Sequence, residues 1–98
     1  MTFSLNFTSS ARIALKELKD SANSTKQFKA VSKALDYLQQ NPRYPSLQTH
    51  KIQSLKGFCN EEIFEAYAEQ NTPGAYRIFF HYGPQKGEIT VFAVMPHP

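Results

Sequence analysis

Arg77 stands in the run AYRIFFHY. Period-two alternation there sets Arg77, Phe79 and His81 on one face of a strand, and Tyr76, Ile78, Phe80 and Tyr82 on the other. The second set is wholly apolar or aromatic, so it is the face that must be covered. Arg77 then stands on the uncovered face. A planar guanidinium held on a sheet beside aromatic rings can grip a phosphate or stack on a base. It can equally pair across strands with Glu65 or Glu69. Tyr67 and Glu65 share the open face if the neighbouring strand is in suitable register, which the sequence leaves undetermined.

A second group of cations precedes the sheet. The segment YPSLQTHKIQSLK carries His50, Lys51 and Lys56, with Arg43 just ahead of it. Basic side chains on a loop or strand leading into a sheet can hold a phosphate backbone, and they also suit a plain solvated connector. His97 lies in MPHP near the end of the sequence, where a histidine can serve as general acid or base. Its flanking prolines restrict it to an extended path. Cys59 has no evident activating partner and reads as a small buried or half-buried side chain. One cysteine and three scattered histidines make no zinc pattern. Gly83 and Gly87 flank a hairpin and do not form a phosphate-cradling loop. No metal or cofactor is expected.

These residues need elements to position them. Thr8, Ser9 or Ser10 can cap a first helix, whose apolar face is Ala11, Ala14, Leu15 and Leu18. Asp20 to Ser24 reads as a short loop. A second helix is predicted from Thr25 to Gln40, with Phe28, Val31, Ala34, Leu35 and Leu38 as its stripe. Asn41-Pro42 ends it, because the residue before proline is pushed out of the α region. So short a loop predicts an antiparallel helical hairpin. From Glu61 the period changes to two, predicting a strand over Ile63 to Glu69, although glutamate and alanine also favour helix. A short strand is expected at Gln48 to Leu55. Asn71-Thr72-Pro73-Gly74 predicts a turn. Ala75 to Tyr82 and Glu88 to Met95 are the remaining strands, joined by the hairpin Gly83 to Gly87.

The class that follows is α+β: an N-terminal helical hairpin packed on a three- to four-stranded antiparallel sheet, as one domain over residues 1–98. Hydrophobic residues make up 41% of the 98-residue chain, which excludes wholesale disorder. No apolar run approaches the ~20 residues that a membrane helix requires, and the N-terminus is too polar for a signal peptide. A cytoplasmic protein is expected. Net charge is +3 and the isoelectric point about 9.1, which permits a nucleic-acid or an acidic protein partner. The cations concentrate between Arg12 and Lys56. Acids cluster later, at Glu61, Glu62, Glu65, Glu69 and Glu88.

Taken in order, the helical hairpin, NPRYPSLQTHKI, EIFEAY, AYRIFFHY and ITVFAVMPHP resemble the RelE/ParE superfamily of bacterial type II toxins, from the second helix to the C-terminus. The resemblance implies a toxin-like component of a toxin–antitoxin system. RelE-like members are ribosome-dependent endonucleases that cut messenger RNA through metal-free attack of a 2′-hydroxyl on the adjacent phosphate. Such chemistry requires cations for the phosphate and groups that move protons. By this resemblance Arg77, His97 and Lys51 are catalytic. Arg43, His50, Lys56, Tyr67 and His81 are the expected RNA-binding residues, of which the resemblance itself carries Lys56, and Glu65 loosely matches an acid near some sites. The implied partners are a cognate antitoxin, the ribosome and mRNA. The resemblance also admits a ParE-like toxin that binds DNA gyrase, and a non-catalytic interaction module.

Overall fold

A computed structural model describes residues 2–70 and 74–97. The expected turn at Asn71-Thr72-Pro73-Gly74 thus lies mostly outside the described residues. Strands β1 (Ser4–Phe7), β2 (His50–Lys56), β3 (Glu62–Tyr67), β4 (Tyr76–Tyr82) and β5 (Glu88–Pro96) accompany helices α1 (Ser9–Asp20) and α2 (Thr25–Gln40). The strands form one five-stranded sheet in the order β1-β5-β4-β3-β2.

The sheet corrects the expectation of three or four antiparallel strands. β1 runs parallel to β5, with Leu5 opposite Ile89 and Phe7 opposite Val91, so the sheet is mixed. A four-residue segment is too short for a periodicity signal to register. It forms because the edge of β5 offers it a ladder, and because Phe3, Leu5 and Phe7 pack against the core. The other pairs, β5 with β4, β4 with β3 and β3 with β2, are antiparallel as expected.

Both helices form where their apolar stripes predict. Thr8 caps α1, its hydroxyl accepting the Ala11 N–H at 3.3 Å. A single 3-10 turn, Ala22–Ser24, separates the helices. Val31, Ala34 and Leu38 of α2 and Ala11 and Leu18 of α1 press onto Ala66, Ile78, Phe80, Ile89 and Val91. Phe80, Leu38 and Ile78 are wholly excluded from solvent. This is the apolar face read from AYRIFFHY. The helix-forming residues of EIFEAY yield to strand because Phe64 and Ala66 fill the same layer, and tertiary burial outweighs a propensity difference of tenths of a kcal/mol. Among the described residues, no helix is long and apolar enough to cross a membrane.

A β-bulge shapes the other face. Phe79 pairs with Ala93 but Phe80 with Val91, so Phe92 is an extra residue in β5. Val91 and Val94 both reach the core, while Thr90, Ala93 and Met95 stand opposite His81, Phe79 and Arg77. A bulge bends its strand and increases local twist.

Candidate functional site

Four side chains converge on the open face. The pairing of Tyr67 with Arg77, and of His50 with Glu65, brings them together from β2, β3 and β4. The Arg77 guanidinium carbon lies 3.8 Å from the Tyr67 ring centre. Its Nη1 donates to the Glu69 carbonyl at 3.0 Å and more weakly to the Ala75 carbonyl at 3.4 Å. Its Nε stands 3.6 Å from Glu65 Oε2, too long for a hydrogen bond, and is buried without one. The side chains of Arg77 and Glu65 are only 11% and 12% exposed.

His50 completes the group. Its Nε2 lies 3.0 Å from Glu65 Oε1, and its Nδ1 3.0 Å from the Gln48 carbonyl oxygen. Both ring nitrogens thus face oxygen atoms, which fixes the orientation of the ring. The ring also meets Tyr67 edge-on at 5.8 Å. Gln48 is left-handed at φ 46, and its side-chain amide donates to Gln70 Oε1 at 2.8 Å, which anchors the start of β2 on the end of β3. One carboxylate therefore bridges the Arg77 guanidinium and the His50 ring, with Arg77 and Glu65 nearly buried and His50 at the exposed edge of the group.

The other expected site residues fall in different places. His97 follows the end of β5, and its backbone N–H donates to the Ala75 carbonyl at 2.8 Å. This places His97 beside the start of β4, on the β5 side of that strand. Lys51 is opposite Phe64 in the ladder, on the helix-facing side of the edge strand, and its ammonium binds Glu62 at 2.6 Å. The sheet thus divides Lys51 from the Arg77 cluster. Glu62 is held below the usual carboxylate range, mainly by that hydrogen bond and by the lysine charge. Lys56 is opposite Glu62 beyond a register shift in β2. Arg43 is exposed after α2, its backbone N–H donating to Asn41 Oδ1 at 3.0 Å. It lies close enough to Tyr82 to oppose the upward push that burial gives that phenol. His81 is on the open face, its ring 6.3 Å from Phe92 and 26° from parallel.

Cys59 is exposed in the turn between β2 and β3, which corrects its reading as a covered side chain. That turn is held by Glu61 instead, whose Oε1 accepts the Cys59 N–H at 3.0 Å. Sequence reading also missed the backbone carbonyls of Gln48 and Glu69, which orient His50 and Arg77. Only register reveals them. Among the described residues, no group of three or more His, Cys, Asp or Glu is placed to hold a metal ion.

No protein-family model and no curated protein matches the sequence. Solved structures do. The RelE of an archaeal RelE–RelB complex from Pyrococcus horikoshii OT3 superposes with a TM-score of 0.67 at 16% identity, covering 98% of this chain and 96% of that one. A YoeB/ParE toxin from Agrobacterium tumefaciens gives 0.69 at 10% identity, over 97% and 99% of the two chains. The YoeB of a Staphylococcus aureus dimer gives 0.64 at 12% identity over the whole of both. These likenesses extend over nearly the whole of each chain, and this chain adopts the RelE/ParE toxin fold.

Proposed function

We propose that this chain is the toxin-like component of a type II toxin–antitoxin pair and acts as a ribosome-dependent mRNA endonuclease, restrained by a cognate antitoxin. The observation that carries the reading is Arg77, held over the Tyr67 ring and beside Glu65, which also meets His50, on the one sheet face that the helices leave uncovered. The complexes and toxins that share the fold give the antitoxin partner its support.

In the proposed reaction the messenger's 2′-oxygen forms a bond to the adjacent phosphorus as the bond to the 5′-oxygen breaks. The proton of the 2′-hydroxyl passes to a base, and an acid protonates the departing 5′-oxygen. Arg77 stabilises the charge that grows on the phosphoryl oxygens, using donors beyond the Nη1 hydrogen bonds. Glu65 stands where an anion would, so an incoming phosphate competes with it for the guanidinium. His97, on the β5 side of β4, and His50, which shares Glu65 with Arg77, are the groups that exchange the two protons. Tyr67 offers a ring to the RNA. Lys51, Lys56 and Arg43 lie away from this point and contribute attraction for the phosphate backbone.

The test is primer extension on messengers in stalled ribosome complexes, comparing the wild-type chain with Arg77→Ala and His97→Ala. The expected result is a cut at the A-site codon that weakens by about 100-fold or more in each variant, the scale of losing a transition-state contact. Absence of a cut at every ratio of protein to ribosome would overturn the endonuclease reading.

A further inference from the structure

The open face carries a second concavity at the other end of β4. A cavity of about 440 Å³ opens between the sheet residues Ile63, His81 and Phe92 and the β2–β3 turn, which contributes Leu55, Phe58 and Glu61. Its walls are mainly apolar, with Thr8 and Lys56 also lining it. Leu55 is 46% exposed and Phe58 fully so, large side chains left in water beside a hollow. The rings of His81 and Phe92 make an aromatic floor, and the bulge in β5 brings Phe92 there.

One carboxylate stands in this apolar surround. Glu61 is fixed by the Cys59 N–H. Its own backbone N–H, that of Cys59 and the nearby His81 keep the carboxyl below the usual range, and hence ionised. The two carboxylate oxygens together offer about four acceptor sites, of which the Glu61 and Cys59 backbone N–H groups occupy two. An aromatic surface of His81 and Phe92 with an ionised acceptor at its edge suits a planar heterocycle with two parallel N–H donors. Guanine offers that pair at N1–H and N2–H. Adenine and cytosine place an acceptor beside their amino group, and uracil flanks its single N–H with carbonyls.

We propose that this cavity is a guanine-selective pocket for an unpaired base of single-stranded RNA, with His81 and Phe92 stacking the base and Glu61 reading its donor edge. Stacking on aromatic side chains with readout of the pairing edge is the general way in which proteins recognise unpaired RNA bases. The assignment rests on the RNA-directed reading above. Arg77 and His81 are four residues apart on β4, about 13 Å along a strand. A strand gripped at Arg77 therefore reaches the cavity within about four nucleotides at a stacked rise of ~3.4 Å.

The experiment is a titration of the isotopically labelled full chain, without ribosomes, followed by amide NMR. The probes are GMP, AMP, CMP, UMP and two short single-stranded RNAs that differ by one G-to-A change. GMP and the G-containing RNA are expected to shift the Ile63, His81 and Phe92 amides, with at least tenfold tighter binding than AMP and the A-containing RNA. Glu61→Gln keeps an oxygen for the Cys59 N–H, so its spectrum stays folded, but it loses about tenfold in guanine binding, the scale of one bidentate base contact. Phe92→Leu weakens all ligands alike. No shift at these amides with millimolar nucleotide would overturn the pocket. So would equal shifts by all ligands that Glu61→Gln leaves unchanged, the behaviour of a surface made for an apolar protein partner. Binding of GMP without binding of the G-containing RNA would overturn RNA as the source. A chain that binds guanine through Glu61 yet cuts no messenger keeps the pocket and loses the endonuclease; one that cuts messengers while binding ignores Glu61→Gln does the reverse.

Discussion

Tyr67 and Arg77 are directly opposed in the β3–β4 ladder, and the guanidinium carbon rests 3.8 Å from the centre of the phenol ring. The pair sets the plane in which Arg77 presents its donors. Cation–π contact of this kind is worth about 0.5–2 kcal/mol. Tyr67→Phe keeps the ring face and is expected to stay within about 0.5 kcal/mol of wild type in urea unfolding. Tyr67→Ala loses the contact together with buried ring area, and is expected to cost about 2–3 kcal/mol.

Glu65 is the counter-charge that makes a nearly buried Arg77 tolerable. Removing either partner alone strands a charge away from water, which is costlier than removing both. A double-mutant cycle with Glu65→Ala and Arg77→Ala should show a coupling energy of about 1–3 kcal/mol, the double variant being more stable than the sum of the singles implies. Strict additivity in chemical unfolding would mean that the 3.6 Å approach contributes nothing.

Phe80 is fully buried where α1 and α2 meet the sheet, and its ring lies 5.6 Å from that of Phe64. Phe80→Ala should lower stability by about 3–5 kcal/mol through lost transfer energy and the cavity left behind. The urea midpoint measures it. A change under about 1 kcal/mol would show that the helices pack elsewhere.

The turn between β2 and β3 depends on the Glu61 carboxylate. A Cβ placed on Gly57 would collide with Glu61 Oε1, so Gly57→Ala should release the carboxylate and loosen the turn. The carboxyl is lowered from its ordinary value of 4.5 by its own backbone N–H first, with further lowering from the Cys59 N–H and His81. A depressed folded value means that the stabilisation is complete above the ordinary glutamate range and is lost as pH falls through the folded value. The Cys59 amide resonance should therefore titrate with a midpoint below 4.5, and Gly57→Ala should move that midpoint upward. An identical midpoint in both chains would exclude the Glu61 staple.

Local chemistry determined much of this. Helix limits came from capping residues and Asn41-Pro42, and the buried face of β4 from alternation in AYRIFFHY, because both are contained within a few consecutive residues. The choice of strand for EIFEAY followed from period two against propensity. Arg77 on the open face was equally legible. What only tertiary structure decided is long-range: β1 pairing with β5 across more than eighty positions, the bulge that turns Phe92 outward, and the registers that give Glu65 to both His50 and Arg77 while sending Lys51 to the opposite face. A one-residue slip inverts every side chain of a strand, and nothing within a strand's own sequence sets its partner's phase. Residue types therefore announced which chemistry was available, and the ladder between strands decided which of those residues meet.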